Sequence, residues 1–199
     1  MYKPLSNYIL RLEKEPSEIT GSRKETLGQI AEYIKSKNGS AKLTFICTHN
    51  SRRSTMAEIW AAVMAHYYGL KQVETYSGGT EATAFNPRAV AAMQRAGFVI
   101  KNSEGENPHY QVYFADDADP LECFSKTYDN PFNPQKEFAA VMTCDHADQN
   151  CPFIPGAEKR ISIPYVDPKE ADGTTEEEKI YDKRCRQIAV EMAYVMSLV

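Results

Sequence analysis

The apolar run Leu43-Thr44-Phe45-Ile46 ends at a cysteine, passes through a tight loop at residues 47–53, and opens at Ser54 into an amphipathic segment. β-Branched and aromatic residues mark the run as a buried strand. The segment Met56-Ala57-Glu58-Ile59-Trp60-Ala61-Ala62-Val63-Met64 has helical spacing and extends to about Tyr68, where Gly69 ends it. The alternation then repeats. Val73 to Ser77 reads as a second strand broken by Gly78-Gly79, and Asn86-Pro87 opens a helix to Gly97 with proline at its first position. Strand, helix, strand, helix dictates a parallel sheet with right-handed crossovers. Ligands of such sheets bind at the carboxyl ends of strands, where Cys47 stands.

The loop Cys47-Thr48-His49-Asn50-Ser51-Arg52-Arg53 is suited to hold an anion. A loop curling into a helix N-terminus points backbone N–H groups inward, and the helix dipole adds positive potential. That makes a cradle for a tetrahedral oxyanion. Arg53 adds a bidentate clamp. The same field favours a thiolate at the loop's floor, aimed at the central atom of the bound anion. Ser54 can donate a hydroxyl hydrogen bond to that sulfur, and Asn50 suits a left-handed turn. The competing reading is an inert buried thiol beneath a plain connection. Two adjacent arginines at a helix N-terminus weigh against it, because the dipole disfavours cations there.

A chain of 199 residues suggests one domain with embellishments. Its net charge of −4 and pI of about 5.6 point away from a nucleic-acid or anionic-membrane partner. The start, Met-Tyr-Lys-Pro-Leu-Ser-Asn-Tyr, has no apolar signal stretch, so the expected location is cytoplasmic. The five cysteines (Cys47, Cys123, Cys144, Cys151 and Cys185) are an odd number without a secretion signal, which argues against a disulfide framework. Their spacings match no common zinc finger, and neither a metal nor a cofactor is expected.

Residues 1–40 read as a helical extension packed on the core. Tyr8, Ile9 and Leu12 suggest a short helix ending before Pro16. Ser22-Arg23-Lys24-Glu25 has the form of a capping box, after which Leu27, Ile30, Ala31 and Ile34 share a face and Gly39 stops the helix. The main α/β domain spans 41–199, with an insertion at about 107–136. There, His109–Phe114 and Cys123–Tyr128 suggest a hairpin around an acidic turn of Asp116, Asp117 and Asp119, and the aromatic residues are expected to pack on the sheet edge. Phe138 to Thr143 is the third parallel strand, Lys159 to Val166 the fourth, and Thr175 to Leu198 a closing helix.

The third strand ends at Cys144, and a polar loop containing His146 leads to Cys151. Cys47, Cys144 and Cys151 can therefore meet on one face of the sheet, and the last two can close a disulfide if the loop rearranges. Alternatively they are two unrelated thiols. Asp167, just past the fourth strand, can serve as general acid to a leaving oxygen, although Asp-Pro is also an ordinary turn. Cys123 and Cys185 read as structural.

The stretch Phe45-Ile-Cys-Thr-His-Asn-Ser-Arg-Arg-Ser-Thr-Met-Ala-Glu-Ile-Trp60 resembles the thioredoxin-coupled arsenate reductases and, more broadly, the low-molecular-weight protein tyrosine phosphatase fold. So do Tyr76-Ser77-Gly78-Gly79-Thr80, Asn86-Pro87, the Cys144–Cys151-Pro152 spacing and Asp167-Pro168. The resemblance covers roughly residues 42–198 and implies an α/β, three-layer αβα architecture with a four-stranded parallel sheet. It implies Cys47 as nucleophile, Arg53 as clamp, Ser54 as hydrogen-bond donor to the thiolate, and Asp167 as acid. Thr48, His49, Asn50, Ser51, Arg52 and Arg53 would form the oxyanion loop, with Cys144 and Cys151 as shuttle cysteines. The implied partners are an oxyanion substrate (arsenate or a phosphate ester) and a thioredoxin-like reductant. Members often carry a potassium site, whose ligands Asn50, Glu58 and Ser77 would match. His49 departs from the usual Gly and Arg52 from a frequent Cys. Lys169-Glu170 follow Asp-Pro where the tyrosine phosphatases usually carry aromatic residues, which favours the reductase.

Overall fold

The computed structural model describes residues 1–14, 19–150 and 153–199. The expected helix stop at Pro16 and the pair Cys151-Pro152 lie outside the described residues. The chain opens with helices α1 (Lys3–Lys14) and α2 (Gly21–Ser36), followed by β1 (Ala41–Cys47), α3 (Arg53–Tyr67), β2 (Val73–Gly79) and α4 (Pro87–Ala96). Three short strands come next: β3 (Val99–Asn102), β4 (Tyr110–Tyr113) and β5 (Leu121–Cys123). Then follow β6 (Phe138–Met142), α5 (Asp145–Asn150), β7 (Ala157–Ser162), a 3₁₀ turn (Pro168–Ala171) and α6 (Glu177–Ser197).

The main sheet is parallel throughout, in the order β2-β1-β6-β7. β1 is central, and Leu43, Phe45 and Ile46 are fully buried, as a strand covered on both faces requires. The layers are unequal. One apolar cluster joins Leu43, Phe45, Val141 and Ile161 of the sheet to residues of α1, α2, α3, α4 and α6. A smaller one on Ile46, Phe138, Ala140 and Met142 is closed by Ala147 of α5 and Ile154.

Trp60 of α3 is fully buried, stacks on Tyr8 of α1 at 5.6 Å and meets Phe98 edge-on at 5.1 Å. Such an aromatic pair adds roughly 0.5–1.5 kcal/mol beyond area burial. α2 is tied to α6 by Arg23, whose Nη2 lies 2.7 Å from Oε2 of the buried Glu191. Breaking a buried pair of this kind costs about 3–5 kcal/mol.

Several local expectations are corrected. The cap of α2 is Thr20 rather than Ser22: its hydroxyl accepts the Arg23 N–H at 3.4 Å, two residues before the proposed box. Gly78-Gly79 do not break the second strand, which runs through them. Instead they leave room, since a Cβ on Gly78 would lie 2.4 Å from Tyr128 Cα and one on Gly79 2.6 Å from the Thr48 carbonyl. The hairpin forms between β4 and β5, with β3 as a third antiparallel strand. Its second strand ends at Cys123, because residues 124–128 turn to the edge of the main sheet. There Gly79 N donates to Lys126 O at 2.8 Å and Tyr128 N to Gly79 O at 2.9 Å. The polar loop after Cys144 is the helix α5, with Asp145 and Asp148 in its first turn, Ala147 buried and Asp148 accepting from Ser162 Oγ at 2.8 Å.

Candidate active site

The loop between β1 and α3 is held by its carbonyls. Thr80 N donates to Cys47 O at 3.1 Å, Glu81 N to Thr48 O at 2.8 Å and Asn86 N to Ser51 O at 2.8 Å. The His49 carbonyl accepts from the hydroxyls of Ser125 at 2.9 Å and Thr83 at 3.2 Å, and the Asn50 carbonyl from Thr55 at 3.3 Å. With five successive carbonyls committed to neighbouring segments, the loop's amides face the other way. The N–H groups of His49, Asn50, Ser51 and Arg52 have no acceptor among the described residues. Asn50 carries φ 46°, the left-handed turn that curls such a loop. Amides gathered in this way at the start of a 15-residue helix form an anion cradle.

Cys47 closes the floor. Its Sγ lies 3.1 Å from Ser54 Oγ, and Asn50 Nδ2 donates to the same hydroxyl oxygen at 2.9 Å. That leaves the Ser54 proton free to point at sulfur. Arg53 approaches from the start of α3. Its Nη2 pairs with Asp167 Oδ2 at 2.6 Å and its Nη1 donates to Tyr165 O at 3.0 Å. Its Nε is buried without a partner among the described residues, so the guanidinium has donor capacity that the protein leaves unmet. Asp167 uses its other oxygen to cap the 3₁₀ turn, accepting from Lys169 N at 3.0 Å. The clamp and the candidate acid therefore share one mouth. Arg52 points elsewhere, its Nε on Tyr181 OH at 2.8 Å and its Nη2 3.4 Å from Asp172 Oδ2. Its cation is balanced by a carboxylate, and only its main chain belongs to the loop.

A second thiol adjoins the loop. Cys144 shares the smaller buried cluster with Cys47, and its Sγ lies 3.5 Å from Thr48 Oγ1 and 3.4 Å from Ala147 N. Thr48 Oγ1 also lies 3.3 Å from Nδ1 of His146, an exposed residue whose ring reaches the loop. His49 is half-exposed at the rim, 3.8 Å from Glu81. Cys123 and Cys185 are enclosed in the large cluster. Burial pushes the Cys185 thiol up to about 12 and holds Cys123 well above its ordinary value, with the nearby Glu58 charge adding to the latter.

These environments predict an order of reactivity. With iodoacetamide at pH 6–8, mass spectrometry should find Cys47 modified first, with Cys123 and Cys185 unmodified in the folded chain, since the latter two stay protonated there. Phosphate or arsenate should slow the Cys47 reaction by filling the cradle. Equal labelling of Cys47 and Cys185 would sink this expectation.

Three features of the site were not legible in the sequence: the Thr48 bridge to Cys144, the Ser125 and Thr83 hydroxyls holding His49, and the entry of Lys126 behind Asn50. None lies in a recognisable motif. Each depends on which distant segment packs against the loop.

The sequence pattern of the low-molecular-weight phosphotyrosine protein phosphatase family matches residues 42–110. An arsenate reductase of Halalkalibacterium halodurans is 34% identical over 142 residues, covering 71% of this chain and 84% of that protein. An arsenate reductase of Bacillus subtilis matches at the same identity and coverage: 34%, 71% and 84%. The crystal structure of a low-molecular-weight phosphotyrosine phosphatase from Vibrio cholerae superposes with a TM-score of 0.54 at 13% identity. It covers 79% of this chain and 95% of that one, a likeness of fold.

Proposed function

This chain belongs to the arsenate reductase family built on the low-molecular-weight phosphotyrosine phosphatase fold, and from that membership we propose that it reduces arsenate to arsenite through a cysteine relay. The observation that carries the reading is the second buried thiol, Cys144, set against the loop through Thr48. Hydrolysis of a phosphate ester needs only the cradle, Cys47 and an acid.

Arsenate occupies the cradle with its oxygens on the loop amides and the Arg53 guanidinium. The Cys47 thiolate attacks arsenic and a sulfur–arsenic bond forms. An arsenic–oxygen bond breaks, and the departing oxygen takes a proton from Asp167. The Cys144 thiolate then attacks Cys47 Sγ. The sulfur–arsenic bond breaks with its electron pair going to arsenic, so arsenic(V) becomes arsenic(III), two thiols are oxidised and a Cys47–Cys144 disulfide remains. Cys151 attacks Cys144, frees Cys47 and leaves a Cys144–Cys151 disulfide. A thioredoxin-like dithiol reduces that bond, which suits a reducing compartment such as the cytoplasm. The relay has Cys144 exchange first with Cys47 and then with Cys151, a rearrangement that falls on α5. At six residues, it is short enough for that rearrangement. No helix among the described residues is long and apolar enough to cross a membrane.

The second reading is a phosphatase acting through a cysteinyl phosphate that water hydrolyses. The shared cradle favours it, and Lys169-Glu170 after Asp167-Pro168 disfavour a phenol-binding mouth. Cys144→Ser separates the two. Under the reductase reading, multiple-turnover arsenite production with thioredoxin, thioredoxin reductase and NADPH should fall at least about 100-fold. Any aryl phosphate hydrolysis should change little. Arsenite production at the wild-type rate by Cys144→Ser, or none by the wild type, ends the reductase reading.

A further inference from the structure

Residues 124–128 carry a lysine into the interior behind the loop. Lys126 is 1% exposed. Its N–H donates to Asn50 Oδ1 at 3.0 Å, and its carbonyl accepts from Gly79 N at 2.8 Å. Its Nζ lies 4.6 and 5.1 Å from the ring centroids of Phe124 and Phe132, and 3.4 Å from the Phe124 carbonyl. A second buried charge in this region is Glu58 of α3, itself 3% exposed, which accepts the Ser77 hydroxyl at 2.5 Å. Burial raises the Glu58 carboxyl and the Lys126 charge opposes that rise.

Asn50, Glu58 and Ser77 are also the residues that the resemblance offers to a potassium ion. Most of their side-chain polar atoms are engaged inside the chain. Asn50 Oδ1 holds Lys126 N, Asn50 Nδ2 holds Ser54 and Thr55, and Ser77 donates to Glu58. A further cation beside a buried ammonium would meet repulsion in a low-dielectric interior. The donor set does not fit a resident ion.

We propose that Lys126 is a positioning residue of this site, its buried ammonium supplying from within the chain the positive charge that offsets the buried Glu58 carboxylate, so that the loop is assembled without a bound monovalent cation. The route to the chemistry is the segment that carries the lysine: the Lys126 main-chain N–H is held by Asn50 Oδ1, and Asn50 Nδ2 holds the Ser54 hydroxyl at Cys47. The proposal rests on the Cys47 loop being an oxyanion cradle and not on arsenate being its substrate.

The test uses the full chain at constant ionic strength in sodium, potassium or ammonium chloride. It reads the rate of Cys47 carboxamidomethylation and the phosphate concentration that halves that rate. The wild type should give the same values within about twofold in all three salts. Lys126→Met, which keeps the apolar stem but leaves Glu58 uncompensated, should need about tenfold more phosphate in sodium. It should recover in part when ammonium or potassium enters the vacated space. Adding Glu58→Gln to Lys126→Met should restore protection in sodium. Should the single variant fail to fold, the double variant and the wild-type salt comparison still decide.

Stronger protection of the wild type in potassium than in sodium would overturn the proposal. So would a Lys126→Met chain that matches the wild type in sodium, or one that Glu58→Gln does not relieve. A wild type that phosphate never protects refutes the cradle, and this proposal with it. Failure to make arsenite while protection holds refutes only the reductase reading.

Discussion

Cys47→Ser is expected to lower turnover by about 10⁴-fold or more, for arsenate and for any aryl phosphate. Serine fits the space that Cys47 occupies, and the contact with Ser54 Oγ at 3.1 Å can persist as a hydroxyl pair. The loop is held by its carbonyls on Thr80, Glu81, Asn86, Ser125 and Thr83, none of which involves the sulfur. The cradle should therefore survive, and the loss should fall on kcat. A serine hydroxyl is not ionised at neutral pH, and among the described residues the side chain within hydrogen-bond reach of this position is the Ser54 hydroxyl, which is no general base. Two measurements together check this: single-turnover arsenite release, and phosphate binding by calorimetry. Loss of chemistry with binding retained within a fewfold is the expected pattern. Turnover within tenfold of the wild type would remove Cys47 from its assigned role in both readings.

Arg53→Ala is the second large effect, at about 10³-fold in kcat/KM. The Arg53 side chain is 13% exposed and already spends one nitrogen on Asp167 and one on Tyr165 O, which fixes the plane of the guanidinium at the mouth. Nε has no partner among the described residues. An oxyanion at the loop can accept from that nitrogen and share Nη2 with Asp167, and it strengthens both contacts as charge builds on its oxygens. Arg53→Lys should recover only part of the loss, because a point ammonium cannot reproduce the planar fork. Arg52→Ala is the matched control. Its guanidinium is engaged by Tyr181 and Asp172, so its removal should cost less than about tenfold. Steady-state kinetics of the three variants settle the comparison. Equal losses for Arg52→Ala and Arg53→Ala would refute the assignment of the clamp.

Local composition was enough to reveal the β1–loop–α3 unit. The apolar run at Leu43 to Ile46, the left-handed tolerance of Asn50 and the helical spacing after Ser54 are short-range properties, and the main-sheet strands they imply lie within a few residues of expectation. The closing helix was legible for the same reason: Tyr181, Cys185, Ile188, Met192 and Val195 recur at helical spacing and are buried. The glycines are a different case. Gly78-Gly79 look like a strand breaker in isolation, and only the approach of Tyr128 and the Thr48 carbonyl shows what their missing side chains are for. Asp145–Asn150 reads as a loop in sequence because its short polar run has no periodicity long enough to register. Its anchors, Arg160 and Ser162, are on another strand.

By itself the sequence determined the parallel α/β sheet, the Cys47–Arg53 loop at a strand's carboxyl end, and the family to which these belong. All three follow from patterns confined to adjacent residues. The tertiary structure alone decided where the charges behind that loop go. It sends Arg52 to Asp172, pairs Arg53 with Asp167, sets Thr48 between Cys144 and His146, and buries both Lys126 and Glu58. These partners lie 96 to 120 residues apart for the loop contacts. Their pairing is fixed by which segments the fold packs together, and a charged side chain's neighbours in space leave no mark on its neighbours in sequence.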